Sequence, residues 1–301
     1  YDRTFGKSDL FSQLRYDYEF ADQTGTNTSL YRQNFSFLAN YVYDKRYTAQ
    51  VVLVYSGTNR LAKGSKWAFM PTGALSWNVS NEAFMEDTRG WLDELKFRAG
   101  YGETSNQAIN PYQTLGSLGT RPHHLGDTTY AMGYFVFTLP LGPLGTRPYN
   151  FADTYATGYY VSTLPNTDLG WEYSNTWNFG LDFGFLQGRL TGTLEYYMQS
   201  THDILLNLNL PSTAGVGSYT ANIGSTQNRG VEFSLNATLI DTGDWRWDAG
   251  INVYANRNKL VSLASGQNED RGNRWFVGMP INCLYDYEYD GLWQEGDPYM
   301  D

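Results

Sequence analysis

The chain has 301 residues, of which 17% are aromatic and only 17% are charged, and its formal net charge is −10. A strongly acidic chain lacks the basic surface that binds nucleic acid, and such a density of rings excludes a disordered chain. No run of about 20 apolar residues, the length of a membrane-spanning helix, occurs in it. We therefore expect an all-β protein without a nucleic-acid partner, either a soluble sandwich or an outer-membrane barrel.

The first clear strand pattern runs from Phe35 to Tyr55, where apolar side chains occupy the odd positions and mostly polar ones the even positions. This period of two is typical of a β-strand with one apolar face. A short turn at 44–46 interrupts the pattern. It predicts an antiparallel hairpin in which Tyr43 pairs with Tyr47 and Phe35 with Tyr55.

The same alternation predicts single strands over 69–79 and 95–101. The stretch between them, 81–94, mixes acidic residues with large apolar ones and departs from the period of two. It predicts a helical turn with Ser80 or Asn81 as its N-cap, because such side chains accept hydrogen bonds from free backbone N–H groups.

Two further hairpins follow in the sequence. In one, a turn at 186–189 sets a register that places Phe183 opposite Gly192, where a ring can cover the glycine. The other joins a strand over 231–239 to one over 245–253.

The connections between these strands alternate in length. Short turns lie at 44–46, 186–189 and 240–244, and longer polar connections lie at 56–66, 102–128, 199–230 and 256–276. A soluble sandwich has no reason to keep its long loops at one end. An outer-membrane barrel does, because it has short periplasmic turns, long external loops and aromatic rows at both interfaces. The pattern therefore favours the barrel.

A local repeat begins in the connection at 102–128 and continues beyond it. Residues 118–140 match residues 144–165 at 15 of 22 aligned positions, with one gapped residue. A solenoid needs three or more copies, so the repeat does not indicate one. It reflects either a tandem duplication that lengthens a loop or an error in sequence assembly. We expect a single domain over 1–301, in which 102–170 is a long external loop region.

Specific motifs accompany the alternation in a fixed order. They are YDKRY at 43–47, WAFMP at 67–71, LSWNVS at 75–80, LKFRAGYG at 95–102, LGWE at 169–172, GLDFG at 180–184, RLTGTLEYY at 189–197, LPSTAG at 210–215, NRGVE at 228–232, VGMPI at 277–281 and YDGLWQ at 289–294. In this order they resemble the SusC/RagA family of TonB-linked outer-membrane transporters found in Bacteroidetes. The chain departs from that family at 57–61, where it reads GTNRL instead of the usual GSSRF, and the repeat has no counterpart in the family.

The resemblance implies the fold. A barrel of this family is an antiparallel transmembrane sheet of 22 strands. We count about 11 or 12 of them in this sequence, and at about 9 to 11 residues per strand plus loops 301 residues cannot supply the whole wall. We therefore expect an interior segment of the barrel wall in the bacterial outer membrane, without the plug domain, the TonB box or the final aromatic-ended strand.

The resemblance also implies the function, which is TonB-dependent import of a nutrient, an oligosaccharide or a peptide, across the outer membrane. The implied partners are a SusD-like lipoprotein that acts as a lid, TonB acting through an N-terminal region outside this chain, and membrane lipid. A siderophore-type TonB-dependent receptor and a passive porin barrel would lack the lipoprotein lid, and both stay open as alternatives. No substrate-binding residue is assigned.

Metal sites are not expected. The histidine-containing pairs at 123–124 and 202–203 lack the spacing of metal ligands. The triplet at 268–270 is more typical of an ordinary loop than of a calcium site. The carboxylates at 286, 288 and 290 alternate with tyrosines, which predicts a strand with a polar, solvated face, with cation binding as the alternative.

Enzymatic activity and a cofactor are not expected either. No nucleophile elbow, phosphate-binding loop or dinucleotide fingerprint occurs. Asp182 and Glu195 are predicted to face an aqueous lumen, where acids are common, rather than to form a glycosidase pair. Five loop tyrosines, at 130, 134, 155, 159 and 160, are expected to pack within loops or at the interface, with stacking on sugar rings as the alternative.

Overall fold

A computed structural model describes residues 1–23, 28–107, 109, 114, 119–125, 129–135, 144–151, 154–161, 163–210, 213, 218–264, 266–289 and 291. In chain order its strands are β1 (Asp2–Phe5), β2 (Ser8–Gln23), β3 (Thr28–Tyr43), β4 (Tyr47–Thr58), β5 (Trp67–Asn78), β6 (Leu92–Asn106), β7 (Gly119–Leu125), β8 (Thr129–Phe135), β9 (Leu144–Phe151), β10 (Thr154–Val161), β11 (Thr163–Leu164), β12 (Glu172–Phe185), β13 (Leu190–His202), β14 (Leu205–Asn209), β15 (Ser218–Asn222), β16 (Ser225–Asp241), β17 (Arg246–Ser262), β18 (Glu269–Asp270) and β19 (Trp275–Phe276). Two 3₁₀ helices, Val79–Asn81 and Ala83–Thr88, lie between β5 and β6. Among the residues so described, no helix has the length and apolar character needed to cross a membrane.

Ten strands form one antiparallel sheet in the order β1-β2-β3-β4-β5-β6-β12-β13-β16-β17. Strands that follow one another in the chain are therefore neighbours, except where longer connections carry small separate sheets. The sequence predicts about 11 or 12 wall strands, and the main sheet has ten within the described residues. The difference arises because the connection between β6 and β12 folds into hairpins of its own.

The predicted hairpin registers are confirmed. Phe35 pairs with Tyr55 and Tyr43 with Tyr47 across β3 and β4. Phe183 pairs with Gly192 across β12 and β13. Alternation and turn length together fix the register, because a slip of one residue would move every side chain to the other face.

The sheet has one apolar face, which continues from strand to strand. One row across β3, β4, β5, β6, β12, β13 and β16 consists of Tyr41, Ala49, Leu75, Ala99, Phe179, Tyr196 and Val231. These side chains are not covered by protein, and Leu75 is 65% exposed. A soluble sandwich would bury such a face against a second sheet, so the sandwich interpretation is wrong.

Aromatic side chains mark two levels on the apolar face. Eight residues separate Phe35 from Tyr43 in β3 and Tyr47 from Tyr55 in β4. At ~3.4 Å per residue this distance is ~27 Å along the strand. A strand tilted by ~40° would then cross ~21 Å, close to the ~25 Å apolar band of outer-membrane barrels.

The two ends of the sheet differ, as the connection lengths predict. We call the end with the turns at 44–46, 186–189 and 242–245 the short-turn end, and the opposite end the long-loop end. Backbone hydrogen bonds tie neighbouring turns together at the short-turn end, for example from Asp44 N to Lys7 O at 2.7 Å and from Asn78 N to Arg46 O at 2.7 Å. The compact buried cluster lies at the long-loop end and consists of Leu61, Ala68, Ile109, Leu169 and Trp171.

The helical turn predicted within 81–94 is confirmed as 3₁₀ structure, but its predicted caps are wrong. Ser80 and Asn81 lie inside the first helix, and neither the N-cap Asn78 nor the N-cap Glu82 makes a side-chain cap hydrogen bond. Ser80 Oγ donates to Asn78 Oδ1 instead. The Glu82 carboxylate accepts hydrogen bonds from Tyr47, Trp77 and Arg46 and none from the start of its helix.

The two copies of the repeat form equivalent hairpins. In the first, Thr120 pairs with Tyr134, and in the second the matching residues Thr146 and Tyr159 pair in the same way. Three residues separate β7 from β8, whereas two separate β9 from β10. The gap in the sequence alignment therefore falls in the turn, where a one-residue change leaves the strand register intact.

The strand predicted from the alternating tyrosines and carboxylates after residue 284 is not found. Residues 283–289 have no strand structure, and Tyr287 is almost fully exposed. Asp290 lies outside the described residues. Alternation alone is insufficient here because a strand also needs a partner for its backbone hydrogen bonds, and β17 pairs only with β16 in the described part of the sheet.

Candidate functional site

The polar face of the main sheet carries a three-residue ion network. Arg98 of β6 donates to Asp182 of β12 from Nε and Nη2, both at 2.8 Å, and to Glu195 of β13 from Nη2 at 2.7 Å. Thr193 Oγ1 adds a hydrogen bond to Asp182 Oδ1 at 3.3 Å. Bidentate contact between arginine and a carboxylate is the strongest geometry for such a pair, so this network fixes three neighbouring strands relative to one another.

A glycine makes this network possible. Gly180 of β12 pairs with Arg98 on one side and with Glu195 on the other. A Cβ at Gly180 would lie 2.9 Å from the Arg98 guanidinium carbon. The guanidinium therefore crosses β12 directly above the glycine backbone to reach β13.

The predicted placement of Asp182 and Glu195 on one face of neighbouring strands is confirmed. Both carboxylates bind the same guanidinium, and their side chains are 20% and 28% exposed. A glycosidase pair needs one carboxyl group free to donate a proton. Here both carboxylates accept hydrogen bonds from Arg98, so the polar face carries a cluster of mixed charge.

A polar pocket of about 260 Å³ opens at the long-loop end of β2, β3, β4 and β6. Its lining includes two cations, Arg32 and Arg60, and one carboxylate, Glu19. Glu19 pairs with Arg32 across the strands, but no ion pair joins either arginine to a carboxylate within the described residues. The pocket offers donors and acceptors at the entrance to the polar face.

An amide of this pocket is unsatisfied. Gln107 Oε1 is buried and has no hydrogen-bond partner among the described residues. The Arg60 side chain is positioned by a hydrogen bond from its Nη1 to the backbone oxygen of Ile109 at 3.4 Å. A polar ligand in the pocket would meet side chains that are positioned by neighbouring backbone.

Asn222 fastens the loops beside this pocket to one another. Its Oδ1 accepts from Gly170 N at 2.7 Å, and its Nδ2 donates to Gly170 O at 3.1 Å and to Asp203 O at 2.9 Å. The adjoining Leu169 is fully buried. The Asn222 amide and the small apolar cluster around Leu169 thus connect the loops of the long-loop end to one another.

A second network lies at the short-turn end, around Glu82. Glu82 Oε1 accepts from Tyr47 OH at 2.6 Å and from Trp77 Nε1 at 3.0 Å, and Oε2 accepts from Arg46 Nη1 at 3.0 Å. Arg46 also contacts Asp44 at 2.6 Å. These hydrogen bonds, from Tyr47 first and then Trp77 and Arg46, hold the pKa of the Glu82 carboxyl below its ordinary value.

The Glu82 network predicts a pH dependence of stability. Because the pKa of Glu82 is lowered on folding, its contribution is fully present above the ordinary carboxyl pKa of about 4.3 and is lost as the pH falls through the lowered value. We expect Glu82→Gln to reduce the loss of stability of the full-length protein below pH ~4.3, measured as the unfolding midpoint against pH. Glu86→Gln, which alters an exposed carboxylate of the same segment, is the control and should keep the wild-type profile. Equal profiles for wild type and Glu82→Gln would contradict the prediction.

The remaining residues considered for metal binding have ordinary contacts. His202 Nδ1 lies 2.9 Å from Asp203 Oδ2, and both side chains are exposed. Asp270 accepts from Asn273 N and Nδ2, and Glu269 pairs with Arg271 at 2.9 Å. No group of three or more His, Cys, Asp and Glu side chains in the described residues could hold a metal ion. The side chains of the five loop tyrosines and of 123–124 lie outside the described residues.

Sequence reasoning gave no role to Arg98, Arg32, Arg60 or Glu82. The alternation gave a signal for Arg98, since it places this residue on the polar face of the strand predicted over 95–101, but the glycine opposite it is known only from the pairing of β6 with β12. The pocket had no such signal, since its residues come from four strand ends that the fold brings together.

Comparison with known proteins identifies the family. A family model described as TonB dependent receptor-like, beta-barrel matches residues 1–282. The TonB-dependent receptor SusC of Bacteroides thetaiotaomicron is 33% identical over 93% of this chain, which covers 27% of SusC. TonB-dependent receptor P3 of Formosa agariphila is 32% identical over 86% of this chain, which covers 24% of that protein. The chain thus spans about a quarter of the length of these curated relatives.

Solved structures show the same fold. The structure of the RagAB peptide importer in its closed-closed state matches with a TM-score of 0.72 and 23% identity, over 93% of this chain and 32% of that one. The chain therefore belongs to the TonB-dependent receptor β-barrel family, as its SusC/RagA-like motifs predicted, and its place is the bacterial outer membrane.

Proposed function

We propose that the protein imports a nutrient, an oligosaccharide or a peptide, across the outer membrane in a TonB-dependent manner. The observation that carries this proposal is the 33% identity to SusC across 93% of the chain. The exposed apolar face and the charged opposite face agree with it, because a transporter barrel needs lipid outside and water inside.

Residues 1–301 contribute a single partial barrel domain in this proposal. The ten strands form part of the wall, the polar face lines the lumen, and the region 102–170 with its two hairpins extends outside the cell. A SusD-like lipoprotein closes the long-loop end as a lid, and TonB acts through another part of the protein. Arg32 and Arg60 make early contacts with the entering ligand.

The test begins with the full-length protein and the lipoprotein encoded beside its gene, both at native expression. We expect the two proteins to purify together in mild detergent, and we expect uptake of a fluorescent oligosaccharide or peptide to stop when TonB is deleted. Uptake that persists without TonB would indicate a passive porin. TonB-dependent uptake of an iron chelate, by a barrel that purifies alone, would indicate a siderophore-type receptor.

Within this test, Arg60→Ala should lower the uptake of a polar ligand several-fold, because it removes one of the two cations that line the pocket. Lys63→Ala removes the same charge from an exposed position at the same end and is the matched control. Equal uptake by the two variants would remove the pocket from the import path.

A further inference from the structure

A groove of about 830 Å³ lies on the apolar face and is lined almost entirely by apolar surface. It crosses β3, β4, β5, β6, β12 and β13 near the short-turn end. Its floor and walls include one row across these strands, Tyr41, Ala49, Leu75, Ala99, Phe179 and Tyr196.

The groove follows from the sizes of neighbouring side chains on the apolar face. Ala49 and Ala99 flank Leu75 within the row, so the surface sinks on both sides of that leucine. The next row toward the short-turn end carries Trp77 and Phe97 directly opposite one another, with ring centroids 6.3 Å apart. Large rings therefore form a raised rim beside a row that is lowest at its two alanines.

The rim is held in place by hydrogen bonds. Tyr47 OH and Trp77 Nε1 both donate to Glu82 Oε1, at 2.6 and 3.0 Å. The Glu82 carboxylate in turn accepts from Arg46. Two rings of the rim are thus fixed by polar groups at the membrane boundary, while their faces border the groove.

We propose that this groove is a binding site for one acyl chain of a phospholipid of the periplasmic leaflet. Because the protein lies in the outer membrane, lipid covers this face, and the short turns of such barrels face the periplasm. Within lipid there is no hydrophobic gain on binding, so residence depends on close packing. An acyl chain seated beside the fixed ring rim, in the depressions at Ala49 and Ala99, makes more contacts than one on a flat surface.

This proposal rests on the family's outer-membrane location and is independent of the transported ligand. Its test uses the full-length protein, extracted in mild detergent and examined by native mass spectrometry for retained phospholipid. We expect wild type to keep about one phospholipid per protein after detergent exchange that removes loosely held lipid. Ala49→Leu/Ala99→Leu fills the groove and should lower that occupancy at least several-fold.

Ala39→Leu is the matched control, because Ala39 lies in β3 on the same face but does not line the groove. This variant should keep the wild-type occupancy. A heat-dependent gel shift shared by all three proteins establishes that each barrel is folded, and the single changes Ala49→Leu and Ala99→Leu replace the double variant if it does not fold. Wild type without retained phospholipid, equal occupancy in the groove and control variants, or retention of lipopolysaccharide in place of phospholipid would each overturn the proposal.

Discussion

Val51→Arg should destabilise the full-length protein in lipid by about 2–4 kcal/mol, the range for a cation on the lipid face at the bilayer midplane. Val51 lies on the apolar face of β4, four residues from both Tyr47 and Tyr55, which mark the two membrane boundaries. An arginine at that depth must leave water or distort the bilayer to reach it. The measurement is equilibrium unfolding by denaturant after reconstitution into phospholipid vesicles.

The neighbouring residue supplies the control. Val52 has the same side chain but points to the polar face, where it pairs with Leu38 and Thr72. Val52→Arg places the charge on the aqueous side and should change the stability by no more than about 1 kcal/mol, as is usual for a substitution that buries no charge. A similar loss for both variants, or a larger loss for Val52→Arg, would show that the apolar face is not the lipid-facing one.

Gly192→Ala should lower the free energy of unfolding by about 1–3 kcal/mol, the usual effect of added volume in a packed site. A Cβ at Gly192 would lie 2.3 Å from the Phe183 ring and 2.8 Å from the backbone oxygen of Ser234. The ring can move only at the expense of its contact with Phe185, whose centroid is 5.7 Å away. The backbone oxygen belongs to β16 and cannot move without disturbing the ladder.

Gly73→Ala is the matched control for that substitution. Gly73 lies in β5 on the same apolar face, and a Cβ there would meet nothing within 4 Å. Removing a strand glycine at an open site reduces the freedom of the unfolded chain and should leave stability unchanged or raise it by up to about 1 kcal/mol. Phe183→Leu combined with Gly192→Ala should recover part of the loss. If Gly192→Ala and Gly73→Ala behave alike, the close packing described at Phe183 does not exist.

Much of the fold follows from local features of the sequence. Alternation from Phe35 to Tyr55 decides which side chains share a face, and the turn at 44–46 decides which residues pair. Both signals are short-range, because the side-chain period of a strand is two and a tight turn fixes the register of its own hairpin. Motifs such as those at 75–80 and 95–102 indicate the family, and the family indicates the outer membrane as the location.

The caps of the 3₁₀ segment and the number of wall strands could not be read in the same way. The Glu82 carboxylate accepts hydrogen bonds from side chains of β4, β5 and the turn before β4. Whether the segment after β6 joins the main sheet depends on which strand offers the better partner. Both outcomes depend on groups that are distant in the sequence, either hydrogen-bond donors or partner strands. The local sequence of one segment does not show which of them it will meet.

The sequence by itself therefore determined the alternation and the two faces of most wall strands from β3 to β17, the registers of two hairpins and the family. Only the tertiary structure decided which side chains of different strands meet on those faces. Arg98 reaches Glu195 because Gly180 opens the path across β12, and the groove exists because Ala49 and Ala99 fall in one row. These arrangements join residues from three or more strands. Each strand pairing sets the register of one strand relative to its neighbour. Contacts across three or more strands are therefore determined only when the registers of all the intervening pairs are set.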